Sequence, residues 1–180
     1  MKIKAMAQLV SKRKTVRLYE GDGEQWVSDG VAMYSLAGLP ELGLSGLFRI
    51  FEISEDKAAE FVAETAVFPV GYSVEDYMSD DEALELQDFS FSRSGYDMNI
   101  LATESGKAYM VQSKYFKPFE DHEKLEYILR KTPKGQSYIT AHDGMFAVAV
   151  LLPFVDAGGG VAAYMAALSG KLNKGSGSDE

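Results

Sequence analysis

The 180-residue chain has no cysteine, only two histidines, one tryptophan and five prolines. The first absence excludes disulfides, cysteine-ligated zinc, iron–sulfur clusters and thiol catalysis. With His122 and His142 the only imidazoles, a Ser–His–Asp site or a histidine metal centre would have to use one of them. Long apolar runs are missing as well. The longest, residues 145–152, is far shorter than the ~20 residues that span a bilayer. The amino-terminal segment has Lys2 and Lys4 but no apolar stretch of signal-peptide type. These absences predict a protein without a membrane span, located in the cytoplasm.

Charge is present but unevenly distributed. Lys2, Lys4, Lys12, Arg13, Lys14 and Arg17 all precede the first acid, Glu20. A segment of +6 is therefore joined to a remainder of −15, for a net charge of −9. The overall acidity excludes a bulk polycation that coats nucleic acid. A local basic patch at Lys12, Arg13, Lys14 and Arg17 remains able to touch phosphates or an acidic partner, or to pair with the protein's own acids.

Periodicity sets the expected elements. Ile3, Ala5, Ala7 and Leu9 alternate, as do Val16 and Leu18, so residues 3–10 and 15–19 read as two strands of a basic first hairpin turning at 11–14. Asp29-Gly30 and Asp143-Gly144 each lie between apolar runs and predict tight hairpins, because Asp-Gly accepts the positive φ such turns need. The residues preceding each Asp-Gly are faintly alike, a weak sign of a pseudo-repeat of two halves. Residues 47–51 read as a strand, and Ser54 caps a helix with Ala58, Phe61, Val62 and Thr65 on one face. Residues 73–82 are acidic and suggest short helical turns. A meander follows over 84–92, 96–103 and 107–116, then a helix from Pro118 to about Lys131. Residues 145–152, apolar on both faces, predict a central strand. A last helix is expected after Gly158-Gly159-Gly160. The expected fold is α+β: an antiparallel, hairpin-rich sheet with about three packed helices, forming a single domain over 1–172 with a flexible tail at 173–180.

No catalytic motif is complete. Gly158-x-Gly160-x-x-Ala163 matches a dinucleotide fingerprint locally, but no second parallel strand can follow it, so no cofactor is expected. His122-Glu123-x-x-Glu126 has a glutamate where a helical zinc motif needs its second histidine. His142 is available as a third ligand, so His122, Glu126 and His142 form the candidate metal set of an alternative reading, a small carboxylate/histidine metal-dependent hydrolase. Asp76, Asp80, Asp81 and Glu82 lack the alternation and the glycine of a calcium loop. The leading expectation is a non-enzymatic binding or accessory protein. It would act through its surface on a protein partner, with nucleic-acid contact at the basic first hairpin and attachment to a nucleic-acid-processing complex.

Overall fold

The computed structural model describes residues 1–154 except Asp22 and Ser94. The elements are α1 (Ile3–Arg13), β1 (Thr15–Gly21), β2 (Glu24–Ser28), β3 (Ala32–Ser35), α2 (Leu44–Ile50), α3 (Glu55–Ala58) and β4 (Val62–Val67). They continue with β5 (Glu82–Arg93), β6 (Tyr96–Ala102), β7 (Ala108–Gln112), 3-10 turns at Ser113–Tyr115 and Lys117–Phe119, β8 (Leu125–Lys131), β9 (Ser137–Asp143) and β10 (Phe146–Leu151). The strands form one mixed sheet in the order β4-β1-β2-β3-β10-β9-β8-β5-β6-β7. β1 and β4 run parallel, and the other neighbours are antiparallel.

This corrects the expected fold. Strands dominate, the sheet is mixed, and α2 and α3 are only seven and four residues long. The expected glycine-rich motif at 158–163, the last helix and the 173–180 tail lie outside the described residues.

The individual errors have physical causes. Residues 3–10 form a helix because Ile3, Met6, Ala7 and Val10 also satisfy the i, i+3, i+4, i+7 pattern. Burial of Met6, Leu9 and Val10 selects it over the alternating pattern. The expected 11–14 turn is instead the end of α1. Lys12 and Arg13 complement the negative end of its dipole, and Lys14 closes it in a left-handed conformation (φ 52°). The expected helix after Ser54 stops at Ala58, since β-branched Val62, Thr65 and Val67 gain a ladder against β1. Residues 47–51 belong mostly to α2. The expected helix from Pro118 survives only as one 3-10 turn, and 125–131 is β8. Tyr127, Ile128, Leu129 and Arg130 are all buried there, and a strand covered on both faces loses its period of two. β10 lies between β3 and β9, the interior position its two apolar faces require.

The sheet buries both faces. On one, Met6 and Val10 of α1, Leu47 of α2, and Phe116 and Phe119 join Val16, Val27 and Ile139 in the larger core. On the other, Tyr19, Trp26, Met33, Tyr138 and Val150 are covered by Phe68, Tyr72 and Val74. These belong to the connection from β4 to β5, which crosses the sheet. Ring contacts of Trp26 with Phe68 (5.6 Å) and Tyr72 with Tyr138 (4.8 Å) hold that connection down. Gly71 lets it pass close: φ is +93°, and a Cβ there would lie 2.9 Å from Pro133 Cδ.

Candidate nucleic-acid interface

The structure divides the four basic residues expected to form a patch. Lys14 Nζ meets Glu60 Oε2 at 2.5 Å and lies 5.3 Å from the Phe61 ring centroid. Arg17 Nε meets Glu64 Oε1 at 2.5 Å, a pair set by the parallel register of β1 and β4. Arg13 Nε donates to the Asp29 carbonyl (2.9 Å) and lies 3.7 Å from Asp29 Oδ2. Three of the four cations are therefore turned toward the protein's own acids. Only Lys12 has no acidic partner among the described residues.

Lys12 instead borders a hollow of about 190 Å³, where the end of α1 meets β6, β7 and the turn after β7. Lys114 and Lys117 also line it, and neither pairs with an acid among the described residues. The Lys114 ammonium sits 4.7 Å from the Tyr115 ring centroid. Its pKa is lowered, first by burial and then by the charges of Lys12 and Arg13, against an opposing pull from Asp29. Tyr96, 51% exposed, and Gln112 complete the walls. Gln112 Oε1 is buried and has no hydrogen-bond partner. One acid, Asp97, is present, and it accepts a hydrogen bond from Ser92 Oγ at 2.5 Å. Sequence reasoning missed Lys114, Lys117, Tyr96 and Gln112. The spacing Lys114-x-x-Lys117 after an apolar strand was the one visible signal, hidden because 107–116 reads as continuous strand.

The candidate metal ligands do not converge. Glu126 and His142 are direct partners in the β8–β9 register, but His142 is buried and Glu126 exposed. His122 turns to Asp143, with Nδ1 2.6 Å from Oδ2. Its Nε2 is buried without a hydrogen-bond partner, so no hydroxyl nucleophile is placed on it. Among the described residues, no three His, Asp or Glu side chains are grouped to hold a metal ion.

The acidic segment 76–82 is not simply solvated. Asp81 pairs with Arg130, and both side chains are almost wholly buried. Arg130 Nε donates to both Asp81 oxygens (3.0 and 3.1 Å), Nη1 to the Ser73 carbonyl (3.0 Å), and Nη2 to Asp81 Oδ2 (2.7 Å) and the Asp76 carbonyl (3.0 Å). Burial raises the Asp81 carboxyl pKa, but the Arg130 and Met78 hydrogen bonds outweigh it and the net shift is downward.

His142 is held beside this cluster. Its Nε2 is 3.0 Å from Thr140 Oγ1, and its buried Nδ1 has no partner. Protonation would bury an N–H with no acceptor. Burial, then Arg130, lowers the His142 pKa, opposed by Asp76, Glu126 and Asp81. The folded protein thus binds this proton less readily than the unfolded chain. Stability is full above the ordinary pKa of 6.5 and falls as pH drops below it toward the folded value. The urea midpoint is expected to decline on acidification through that range, and His142→Gln should flatten the decline. An equal decline in both proteins would show that another group is responsible.

No helix among the described residues is long and apolar enough to cross a membrane. The chain matches no protein-family model, no curated protein and no solved structure.

Proposed function

We propose that the protein is a non-enzymatic binding module that contacts single-stranded nucleic acid at the Lys12–Lys114–Lys117 hollow, as an accessory to a nucleic-acid-processing complex in the cytoplasm. One observation carries this reading. Three lysines without acidic partners among the described residues surround a hollow that also presents a half-exposed tyrosine. Lysines that neutralise phosphates release counterions, and an exposed ring offers a base a stacking surface. Overall acidity disfavours indiscriminate contact over the rest of the surface.

The test is fluorescence anisotropy of a labelled oligothymidylate at low salt. Lys12→Glu/Lys114→Glu/Lys117→Glu should weaken binding by at least ~10-fold, and Tyr96→Ala by about 1–3 kcal/mol. Lys14→Glu/Arg17→Glu should change it far less, because those cations already face Glu60 and Glu64. Equal losses from the two charge reversals would overturn the assignment to this hollow, and wild-type protein that does not bind would overturn the function.

A further inference from the structure

We propose that a second surface, an acid-rimmed apolar groove at the β9–β10 hairpin, docks a protein segment carrying an apolar side chain flanked by lysine or arginine. The groove has a volume of about 390 Å³. Its floor is Trp26, Phe68, Val74 and Ala147. Met145 and Phe146 rise beside it and are 74% and 67% exposed. Two adjacent large apolar side chains on a hairpin tip expose surface that water disfavours, the usual mark of an interaction site. The hairpin is held in place: Asp143, at its turn, is tied to His122, and β10 is paired on both sides.

Charge specifies the occupant. Glu24 and Glu75 form the rim. Gly21 and Glu24 are shared with a neighbouring hollow of about 450 Å³ that adds Glu20 and Glu41. Among the described residues, no lysine, arginine or histidine lines either space, and none of the four glutamates is paired with a cation. An acidic partner, or a second copy presenting this same face, would bring like charges together. A cationic segment with a central apolar anchor satisfies both the groove and its rim. Among the described residues the groove shares no lining residue with the basic hollow, so one chain has room for both contacts.

The test uses the full chain, isotope-labelled for amide NMR, and two synthetic peptides: Lys-Lys-Leu-Phe-Leu-Lys-Lys and the same peptide with Glu in place of Lys. The lysine peptide should shift amides at Gly21, Glu24, Glu75 and 145–147, and the glutamate peptide should not. Glu24→Lys/Glu75→Lys replaces exposed residues and should weaken binding about tenfold. Phe146→Ala should also weaken it, while Lys12→Glu/Lys114→Glu/Lys117→Glu should leave it unchanged. Absence of shifts with the lysine peptide, equal shifts with both peptides, or shifts at 145–147 that follow protein concentration alone, as with a second copy, would each overturn the proposal.

Discussion

Arg130→Met is expected to destabilise the protein by about 3–5 kcal/mol, since it leaves the buried Asp81 carboxylate without its counter-charge. For a chain of this size that corresponds to a fall of roughly 6–20 °C in Tm. The guanidinium makes five hydrogen bonds to one carboxylate and two main-chain carbonyls of the crossing segment. No other side chain supplies that planar set of donors, so Arg130→Lys should recover little. Adding Asp81→Leu to Arg130→Met should restore a large part of the loss, because the unpaired charge is then gone. Amide exchange in residues 68–81 should rise more than in β9 and β10. The depressed Asp81 pKa adds a pH signature. Its contribution is present above the ordinary carboxyl value of 3.8 and is lost as pH falls through the folded value. A loss below about 1 kcal/mol for Arg130→Met, the level of an exposed ion pair, would contradict this account.

Asp29→Ala has the second-largest expected cost, about 2–4 kcal/mol. Asp29 is fully buried between β2 and β3, and its Oδ1 accepts the N–H groups of Val31 (2.9 Å) and Ala32 (3.0 Å). Without the carboxylate both donors lose their acceptor, the Ala32 N–H in the interior and the Val31 N–H at a half-buried position. Asp29→Asn keeps the acceptor oxygen and should cost markedly less. It also removes a charge felt nearby. Burial first, then Asp29, raises the phenol pKa of both Tyr34 and Tyr115, and Asp29 opposes the lowering of Lys114. With that charge gone Arg13 loses its acid, so Asp29→Asn should bind oligothymidylate more tightly than wild type. Equal urea midpoints for the Ala and Asn variants would show that the turn does not depend on this acceptor.

The strands from β5 to β10 were legible where one face meets water. In β6, Met98 and Ile100 are buried and Asp97 is exposed, so alternation survived in the sequence. β8 was misread because it is covered on both sides: Arg130 sits among buried residues by virtue of Asp81, 49 positions away, and of the similarly distant Ser73 and Asp76 carbonyls. A buried arginine in a short window is indistinguishable from a solvated one. The basic amino-terminal segment was legible as charge but not as a site. Glu60 and Glu64 reach Lys14 and Arg17 through the parallel β1–β4 pairing, which local sequence does not specify. Lys114 and Lys117 join Lys12 only because β7 ends beside the end of α1. The Asp29-Gly30 and Asp143-Gly144 hairpins were found because a glycine with positive φ is a local signal, but their form was not: Ser28 pairs with Met33 across a four-residue connection, Asp143 pairs with Phe146 so that Gly144-Met145 make the second tip, and Asp29 is buried.

The salt dependence of oligothymidylate binding tests the central claim most directly. If Lys12, Lys114 and Lys117 neutralise phosphates, log K should fall linearly with log salt with a slope of about −2, from roughly 0.7 counterions released per phosphate contact. The triple charge-reversal variant should lose that slope together with its affinity. A slope near zero in the wild type, or an unchanged slope in the triple variant, would contradict the account.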